Sequence, residues 1–236
     1  MAGSIYIDSR FHGPPCSGNG GYSCGLVARH IQGPAAVRLR IPPPLEVDME
    51  LRREGDGLAV YLGDELVASA RPATVDITVP ESPGFAAAEL ASQRYRGFES
   101  HFYPGCFVCG PERQHGDGLR IFAGPLETDG GAQAMVAASW VPDASLADDN
   151  GIIAPEFIWA ALDCPGAYSF PEPEKGAILL GELAVDIRET VGAGEKCVLI
   201  GWEINRSGRK HFTGTALFGE TGRCCAVGYA TWFEVS

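Results

Sequence analysis

The sequence predicts an α+β protein in which antiparallel sheets wrap around apolar helices. A segment in each half of the 236 residues carries helix start and stop signals. Runs of alternating apolar and polar residues, separated by turn residues, predict strands in both halves. Because a sheet with one apolar face can bury an apolar helix against that face, the two halves predict two similar helix-and-sheet units.

The first half begins with a helix predicted over 17–33. Ser17 or Asn19 can cap its start, and Gly33-Pro34 ends it. Apolar residues recur inside it at the helical spacing, namely Cys24, Val27, Ala28 and Ile31. Strands are predicted after it at 36–41, 45–53, 57–63 and 65–71.

A stretch rich in Pro and Gly, with an Ala-rich helical piece at 85–93, separates the two halves. It is long enough to cross a domain, so we predict an N-terminal unit over 1–80, a connector over 81–104 and a C-terminal unit over 105–236. The second half is predicted to hold a helix at 155–164 and strands at 118–123, 132–141, 177–189, 196–205, 210–219 and 223–235.

The helix at 155–164 contains one candidate catalytic group, Asp163. Pro155 suits the first helical position, a Pro-Gly pair ends the helix, and the residues between are apolar on every side. A carboxylate in the last turn of a buried helix lies at the negative end of the helix dipole and loses its water, so its pKa should rise. Asp163 is therefore a candidate functional residue; the alternative is that it caps the turn that follows.

Composition and charge argue against several classes of function. The net charge of −12 argues against nonspecific binding to nucleic acid. No apolar run approaches the ~20 residues that span a bilayer. The first residues lack the basic and apolar regions typical of a signal peptide, so a cytoplasmic location is expected.

The eight cysteines are interpreted mainly as small core residues. Cys106 and Cys109 have zinc-like spacing, but they supply only half of a site. Cys224 and Cys225 do not complete it easily, because adjacent strand residues point to opposite faces. The sequence therefore predicts no metal site and no cofactor.

Several motifs together resemble the hotdog-fold acyl-CoA thioesterases, most closely their phenylacetate-pathway type. The motifs are the run from Cys106 to Glu112, Gly118-Leu119-Arg120, the helix segment from Ala160 to Asp163, and the closing strands from Gly208 to Trp232. The resemblance covers 106–235 well and 17–71 more loosely. It implies a double hotdog, in which two antiparallel sheets each wrap around a central apolar helix, fused as a pseudodimer.

In that family the central helix usually opens with His-Gly-Gly, and an acid follows nine residues after the His. The first helix here opens with Asn19-Gly20-Gly21 but has Ala28 where the acid should be. The second helix has Asp163 but opens with Ala154-Pro155-Glu156, and Pro155 has no N–H to donate. In a pseudodimer with antiparallel helices, the surviving parts would form one composite site, and the opposite site would have neither acid nor donor.

The resemblance implies hydrolysis of an acyl-CoA or a related acyl thioester at this composite site. The N–H groups of Gly20, Gly21 and Tyr22 would stabilise the oxyanion that develops on the thioester carbonyl. Asn19 would orient the carbonyl or a water molecule through its amide. Asp163 would deprotonate the water or attack the carbonyl directly.

Further residues are predicted to bind the substrate. Arg206, Arg209 and Lys210 are candidates for the phosphates of coenzyme A, and the alternative is a solvent-exposed hairpin tip. Trp159 is a candidate for the acyl pocket, although aromatic residues near a buried helix are commonly core. A homodimer is a further expectation, because fused hotdog units often pair again.

Two other functions stay open at this point. The first is a non-catalytic protein that binds acyl-CoA or lipid, and the second is a hydratase or dehydratase. The absence of a His at the opening of either central helix argues against the second. His30, His101, His115 and His211 have no acidic or nucleophilic neighbour that the sequence identifies.

Overall fold

The structure, a computed structural model, describes residues 3–127, 135–173 and 176–235. Its helices are α1 (Gly20–Ala28), α2 (Phe85–Ser92), α3 (Pro155–Ala161) and α4 (Cys164–Tyr168). Its strands are β1 (Gly3–Ile5), β2 (Ala35–Leu39), β3 (Met49–Glu54), β4 (Gly57–Leu62), β5 (Glu65–Pro72), β6 (Gly124–Pro125), β7 (Met135–Trp140), β8 (Ala177–Ile187), β9 (Cys197–Ser207), β10 (Lys210–Phe218) and β11 (Cys224–Val235).

The strands join into one antiparallel sheet rather than two separate sheets. Across the described residues the strand order is β1-β3-β4-β5-β2-β8-β11-β10-β9-β7-β6. The join lies between β2 and β8, where Ala35 pairs with Val185 and Val37 pairs with Leu183. Each of these strands would otherwise expose an edge of unpaired backbone groups, so the pairing satisfies both edges at once.

Helices α1 and α3 lie on the apolar face of this sheet and pack against each other in opposite directions. Every residue of α1 from Gly21 to Ala28 is buried. A Cβ atom on Gly21 would lie 2.7 Å from the carbonyl oxygen of Trp159, and one on Gly25 would lie 2.6 Å from Cα of Glu156. The two glycines therefore let the backbones approach more closely than side chains allow.

The predicted helix at 155–164 is divided into two pieces. Helix α3 ends at Ala161, and α4 begins at Cys164 with Pro165 in its first turn. Proline lacks an N–H group and suits a helix start, so Pro165 both ends the first helix and opens the second. Asp163 lies at the break between them.

The other helical predictions are close to the structure. Asn19 rather than Ser17 caps α1, which ends at Ala28, earlier than predicted. The Ala-rich piece at 85–93 is helix α2, whose Ala88 and Ala91 are fully buried against the outer face of the sheet. No helix among the described residues is long and apolar enough to cross a membrane.

The predicted strand at 118–123 is wrong, and β1 was not predicted. Arg120 has a φ of 55°, which interrupts an extended chain. The N–H groups of Leu119 and Ile121 instead donate to the carbonyl oxygens of Phe107 and Val108, at 2.8 and 2.9 Å. Of the predicted strand at 132–141, residues 132–134 lie outside the described residues, and the remainder matches β7.

Candidate functional site

Asp163 is a buried carboxylate held at the start of helix α1. Only 3% of its surface is exposed. Its Oδ2 accepts one hydrogen bond from the backbone N–H of Gly21 and one from Nδ2 of Asn19, both at 2.9 Å. Its Oδ1 has no hydrogen-bond partner within the part of the chain that the structure describes. One oxygen is therefore fixed in place, and the other is buried with its hydrogen-bonding capacity unused by the described residues.

The start of α1 positions this carboxylate because Asn19 is the N-cap of the helix. Oδ1 of Asn19 accepts the N–H of Tyr22 at 2.9 Å, which directs the amide nitrogen toward Asp163. The hydroxyl of Ser23 donates to the backbone oxygen of Asn19 at 2.7 Å and stabilises the same turn. The orientation of the amide therefore follows from the cap geometry.

Burial raises the pKa of Asp163 to about 7. The hydrogen bonds from Gly21 and Asn19 act in the opposite direction, because they stabilise the charged form. The alternative interpretation of Asp163 as a turn cap is not supported, because its side chain makes no cap hydrogen bond to α4. Its bonds go instead to a helix that lies more than a hundred residues earlier in the sequence.

A cavity of about 720 Å³ opens onto this carboxylate, a size typical of small-molecule sites. Asn19, Gly20 and Asp163 line one end of it. Its walls are largely apolar and include Leu180 and Trp232. An acyl chain would find apolar surface here, with polar groups concentrated at one end.

The N–H groups at the start of α1 differ in their availability. Those of Gly21 and Tyr22 already donate, to Asp163 and to Asn19 respectively. The N–H of Gly20 has no acceptor among the described residues, and Gly20 lines the cavity. It is therefore the backbone donor that a ligand in the cavity can use.

The opposite ends of the two helices lack such an arrangement. There Arg29 and Glu156 form an ion pair at 3.7 Å. Pro155 occupies the first turn of α3, where it offers no N–H. The two ends of the helix pair therefore differ chemically: among the described residues, the end at Asp163 combines a buried acid with a helix N–H that has no acceptor, and the other end does not.

The residues predicted to bind substrate are not among the described residues that line the cavity. Tyr22 is buried and stacks on Phe11 with ring centroids 4.2 Å apart, and Trp159 is buried in the core. Arg206, near the end of β9, forms an ion pair at 2.9 Å with Glu234 of β11. None of Tyr22, Trp159, Arg206, Arg209 and Lys210 is among the described residues that line the cavity.

Three arginines among the described residues line the cavity; Arg96 pairs with Glu172 at 3.1 Å, and the other two are Arg38 and Arg40. Arg38 and Arg40 are exposed, and neither forms an ion pair with another residue that the structure describes. The alternation of β2 predicts that they face away from the apolar core. The sequence gives no indication that they lie beside a cavity, because that depends on the packing of distant strands.

A cluster of three buried cysteines adjoins the carboxylate. The sulfur atoms of Cys106, Cys109 and Cys164 all lie within 4.8 Å of one another. Hydrogen bonding with the thiols of Cys109 and Cys164 lowers the pKa of Cys106. The sequence did not predict that Cys164 joins Cys106 and Cys109, because Cys164 is more than fifty residues away from them in the chain.

His211 has acidic neighbours that the sequence did not reveal. Its Nδ1 lies 2.7 Å from Glu203 and its Nε2 lies 2.8 Å from Glu234, and its ring stacks on Phe170. The histidine is almost completely buried. None of these four residues is among the described residues that line the cavity, so we interpret the group as structural.

Comparison with known proteins places the fold in the hotdog group. No protein-family model and no curated protein sequence matches the chain. Among solved structures, the tesB protein of Mycobacterium avium subspecies paratuberculosis is similar over 100% of this chain and 93% of its own, with a TM-score of 0.63 and 13% identity. The acyl-CoA thioesterase II TesB2 of Mycobacterium marinum is similar over 99% and 93%, with a TM-score of 0.63 and 11% identity.

A third similar structure is a hot dog fold protein of Alicyclobacillus acidocaldarius. It covers 100% of this chain and 93% of its own, with a TM-score of 0.61 and 10% identity. At these identities the likeness concerns the fold alone. The predicted double hotdog architecture is therefore confirmed over the full length of the chain, with the two sheets joined into one.

Proposed function

We propose that the chain is a thioesterase that hydrolyses an acyl-CoA or a related acyl thioester. The observation that carries the proposal is the hydrogen bond of 2.9 Å between Asp163 and the N–H of Gly21, at one end of a largely apolar cavity. It puts a carboxylate with a free oxygen beside the positive end of a helix. Thioester hydrolysis needs both a base and a donor to the carbonyl oxygen.

In the proposed reaction the thioester carbonyl oxygen accepts the N–H of Gly20. Oδ1 of Asp163 takes a proton from a water molecule, and the water oxygen forms a bond to the carbonyl carbon. The C–S bond then breaks, and the departing thiolate takes the proton back. Direct attack by Asp163 would form an anhydride that water hydrolyses afterwards, and the same geometry supports it.

The proposed site combines groups from two repeats, an N-terminal unit over 1–80 and a C-terminal unit over 105–236. The first supplies Gly20 and the amide of Asn19, and the second supplies Asp163. Fusion of two copies permits such a division, because each copy can lose the part that the other keeps. Two structurally similar proteins are named tesB protein and acyl-CoA thioesterase II, which supports the same class of substrate.

We further propose that Arg38 and Arg40 bind the phosphates of coenzyme A. Both are exposed and line the cavity. Arginine is suited to this role because its planar group can donate two parallel hydrogen bonds to a phosphate. The basic hairpin with Arg206, Arg209 and Lys210 is the competing candidate, and Arg206 already pairs with Glu234.

The proposal is tested by measuring thiol release from a panel of acyl-CoAs with the wild-type chain and with Asp163→Asn. The wild type should turn over at least one member, and Asp163→Asn should be at least about 100-fold slower, the usual contribution of a general base. Asp186→Asn, which alters an ion pair with Arg188 on a strand, is the matched control and should keep its activity.

Two results would contradict the proposal. The first is binding of acyl-CoAs by the wild type without any turnover, which would indicate a non-catalytic binding protein. The second is unchanged turnover by Asp163→Asn, which would exclude the assigned carboxylate.

A further inference from the structure

The three cysteines beside the candidate site have the arrangement of a metal-binding set. A single tetrahedral zinc ion with Zn–S bonds of ~2.3 Å holds its sulfur ligands about 3.8 Å apart. The sulfur atoms of Cys106, Cys109 and Cys164 lie within 4.8 Å of one another, so a small adjustment would bring them to that spacing. All three residues are buried.

The loop that carries Cys106 and Cys109 is fixed independently of any ion. The N–H of Gly110 donates to the carbonyl oxygen of Cys106 at 2.9 Å, and the hydroxyl of Tyr95 donates to that of Cys109 at 3.0 Å. A Cβ on Gly110 would lie 2.5 Å from two carbonyl oxygens, so only glycine fits this turn. Because the loop already fixes the two cysteines, they lose little conformational entropy when they bind a metal.

Side-chain N–H groups lie near the sulfur atoms, as outer partners do around metal-bound thiolates. Nδ2 of Asn19 lies 3.8 Å from the sulfur of Cys106. Nε2 of His101 lies 3.4 Å from the sulfur of Cys109. These donors stabilise negative charge on sulfur, which is the form that binds metals.

His101 acts on the cluster as a hydrogen-bond donor rather than as a fourth ligand. Its Nδ1 accepts the N–H of Tyr103 at 2.9 Å, so in the neutral ring the proton lies on Nε2. That nitrogen lies 3.4 Å from the sulfur of Cys109 and can donate to it. His101 also stands outside the group of atoms that are mutually within 4.8 Å.

We propose that Cys106, Cys109 and Cys164 bind one zinc ion as thiolates, with a fourth coordination position open to the cavity. The three thiols release three protons on binding, and no oxidation or reduction takes place. Soft thiolate ligands select zinc over magnesium or calcium. The three cysteines line the cavity, so a water molecule or a small ligand from it supplies the fourth ligand.

The test is a titration of the reduced, chelator-treated full chain with Zn²⁺ and with Co²⁺. We expect one ion per chain, with the thiolate-to-cobalt absorption and intense visible bands of four-coordinate Co²⁺. Cys164→Ser should weaken Zn²⁺ binding at least 100-fold. Cys197→Ser is the matched control, because Cys197 is equally buried and lies outside the cluster, and it should bind Zn²⁺ as the wild type does.

A second measurement uses only the wild type, so it gives a result even if the Cys164→Ser variant does not fold. Zn²⁺ should shield Cys106, Cys109 and Cys164 of the wild type from alkylation by iodoacetamide, and removal of the ion by a chelator should end the shielding. Absence of bound metal, unaltered affinity in folded Cys164→Ser, or shielding of other cysteines would overturn the proposal. These outcomes do not depend on thioester turnover, so they are separate from those of the proposed function.

Discussion

Asn19 has two tasks that substitution can separate. Its Oδ1 caps α1, and its Nδ2 holds the carboxylate of Asp163. Serine keeps the capping oxygen but removes the amide donor. Asn19→Ser should therefore leave the free energy of unfolding almost unchanged and lower kcat by about 10-fold or more, the order expected for one hydrogen bond to a charged group.

Asn19→Ala is the comparison for this prediction. It removes both functions, so it should lower the free energy of unfolding by about 1 kcal/mol in addition to the loss in kcat. Urea unfolding and initial rates on the best acyl-CoA measure the two effects. Equal rates for the wild type and Asn19→Ser would show that the amide does not position Asp163.

The carboxylate of Glu234 gives the fold a dependence on pH. Its hydrogen bond to His211 lowers the pKa of Glu234. A carboxyl group with a lowered pKa in the folded state stabilises the fold above its ordinary pKa, and this stability is lost as the pH falls through the lowered value. Glu234→Gln should therefore be less stable than the wild type at neutral pH, and the difference should shrink in acid.

Urea unfolding at a series of pH values measures this difference. Glu65→Gln is the control, because Glu65 is exposed and forms no ion pair within the described residues. If the difference in the free energy of unfolding between Glu234→Gln and the wild type stayed constant with pH, Glu234 would not be the source of the pH dependence.

At the scale of elements, the approach of α1 to α3 depends on two glycines. In an isolated helix, Gly25→Ala would stabilise by ~1 kcal/mol, because alanine is the better helix former. Here the new Cβ would lie 2.6 Å from Cα of Glu156, so the helices must separate. Overpacking costs about 1–3 kcal/mol, and we expect a net loss of stability on urea unfolding.

Gly192→Ala is the control for this change, since the nearest atoms to its Cβ lie 3.9 Å away. It should alter the free energy of unfolding by less than ~0.5 kcal/mol. Stabilisation by Gly25→Ala would show that the helices are packed less closely than the structure describes.

Helices and strands were predicted correctly where signals from neighbouring residues determine them. Alternating apolar residues located β8 to β11, the cap residue Asn19 located the start of α1, and Pro155 at the first helical position located the start of α3. The division between α3 and α4 was missed, because a Pro-Gly pair was interpreted only as a stop signal. The strand predicted at 118–123 failed because its N–H groups pair with the loop at 106–109, a contact that periodicity does not reveal.

Only those features of the site that depend on residues adjacent in the sequence could be predicted. The acid in the last turn of a predicted buried helix, Asp163, and the glycines at the start of α1 each stand out in the sequence. Their contact could be expected only from the antiparallel arrangement of the two helices that the family resemblance implies. The cavity arginines and the third cysteine could not be predicted, because distant segments bring them together.

At the scale of the whole molecule, the cavity lies beside the join between the two parts of the sheet. Arg38 of β2 contributes to its lining, and β2 pairs with β8 at the join. Replacing Arg38 and Arg40 together with alanine should raise KM for acyl-CoA by about 10-fold or more, with little change in kcat, because phosphate contacts remote from the thioester act on binding.

An acyl-pantetheine substrate without phosphates is the control and should keep its KM in the double variant. Arg206→Ala should change neither value. If Arg206→Ala raised KM and the variant lacking both Arg38 and Arg40 did not, the phosphates would bind at the hairpin that carries Arg206 instead.

In the proposed site, a carboxylate late in the chain acts on a thioester held at the start of a helix early in the chain. A crystal structure with a non-hydrolysable acyl-CoA analogue, in which a methylene group replaces the thioester sulfur, tests it most directly. We expect the acyl carbonyl oxygen about 3 Å from the N–H of Gly20, with the carbonyl carbon facing Oδ1 of Asp163. A carbonyl group bound elsewhere, with this end of the cavity unused, would contradict it.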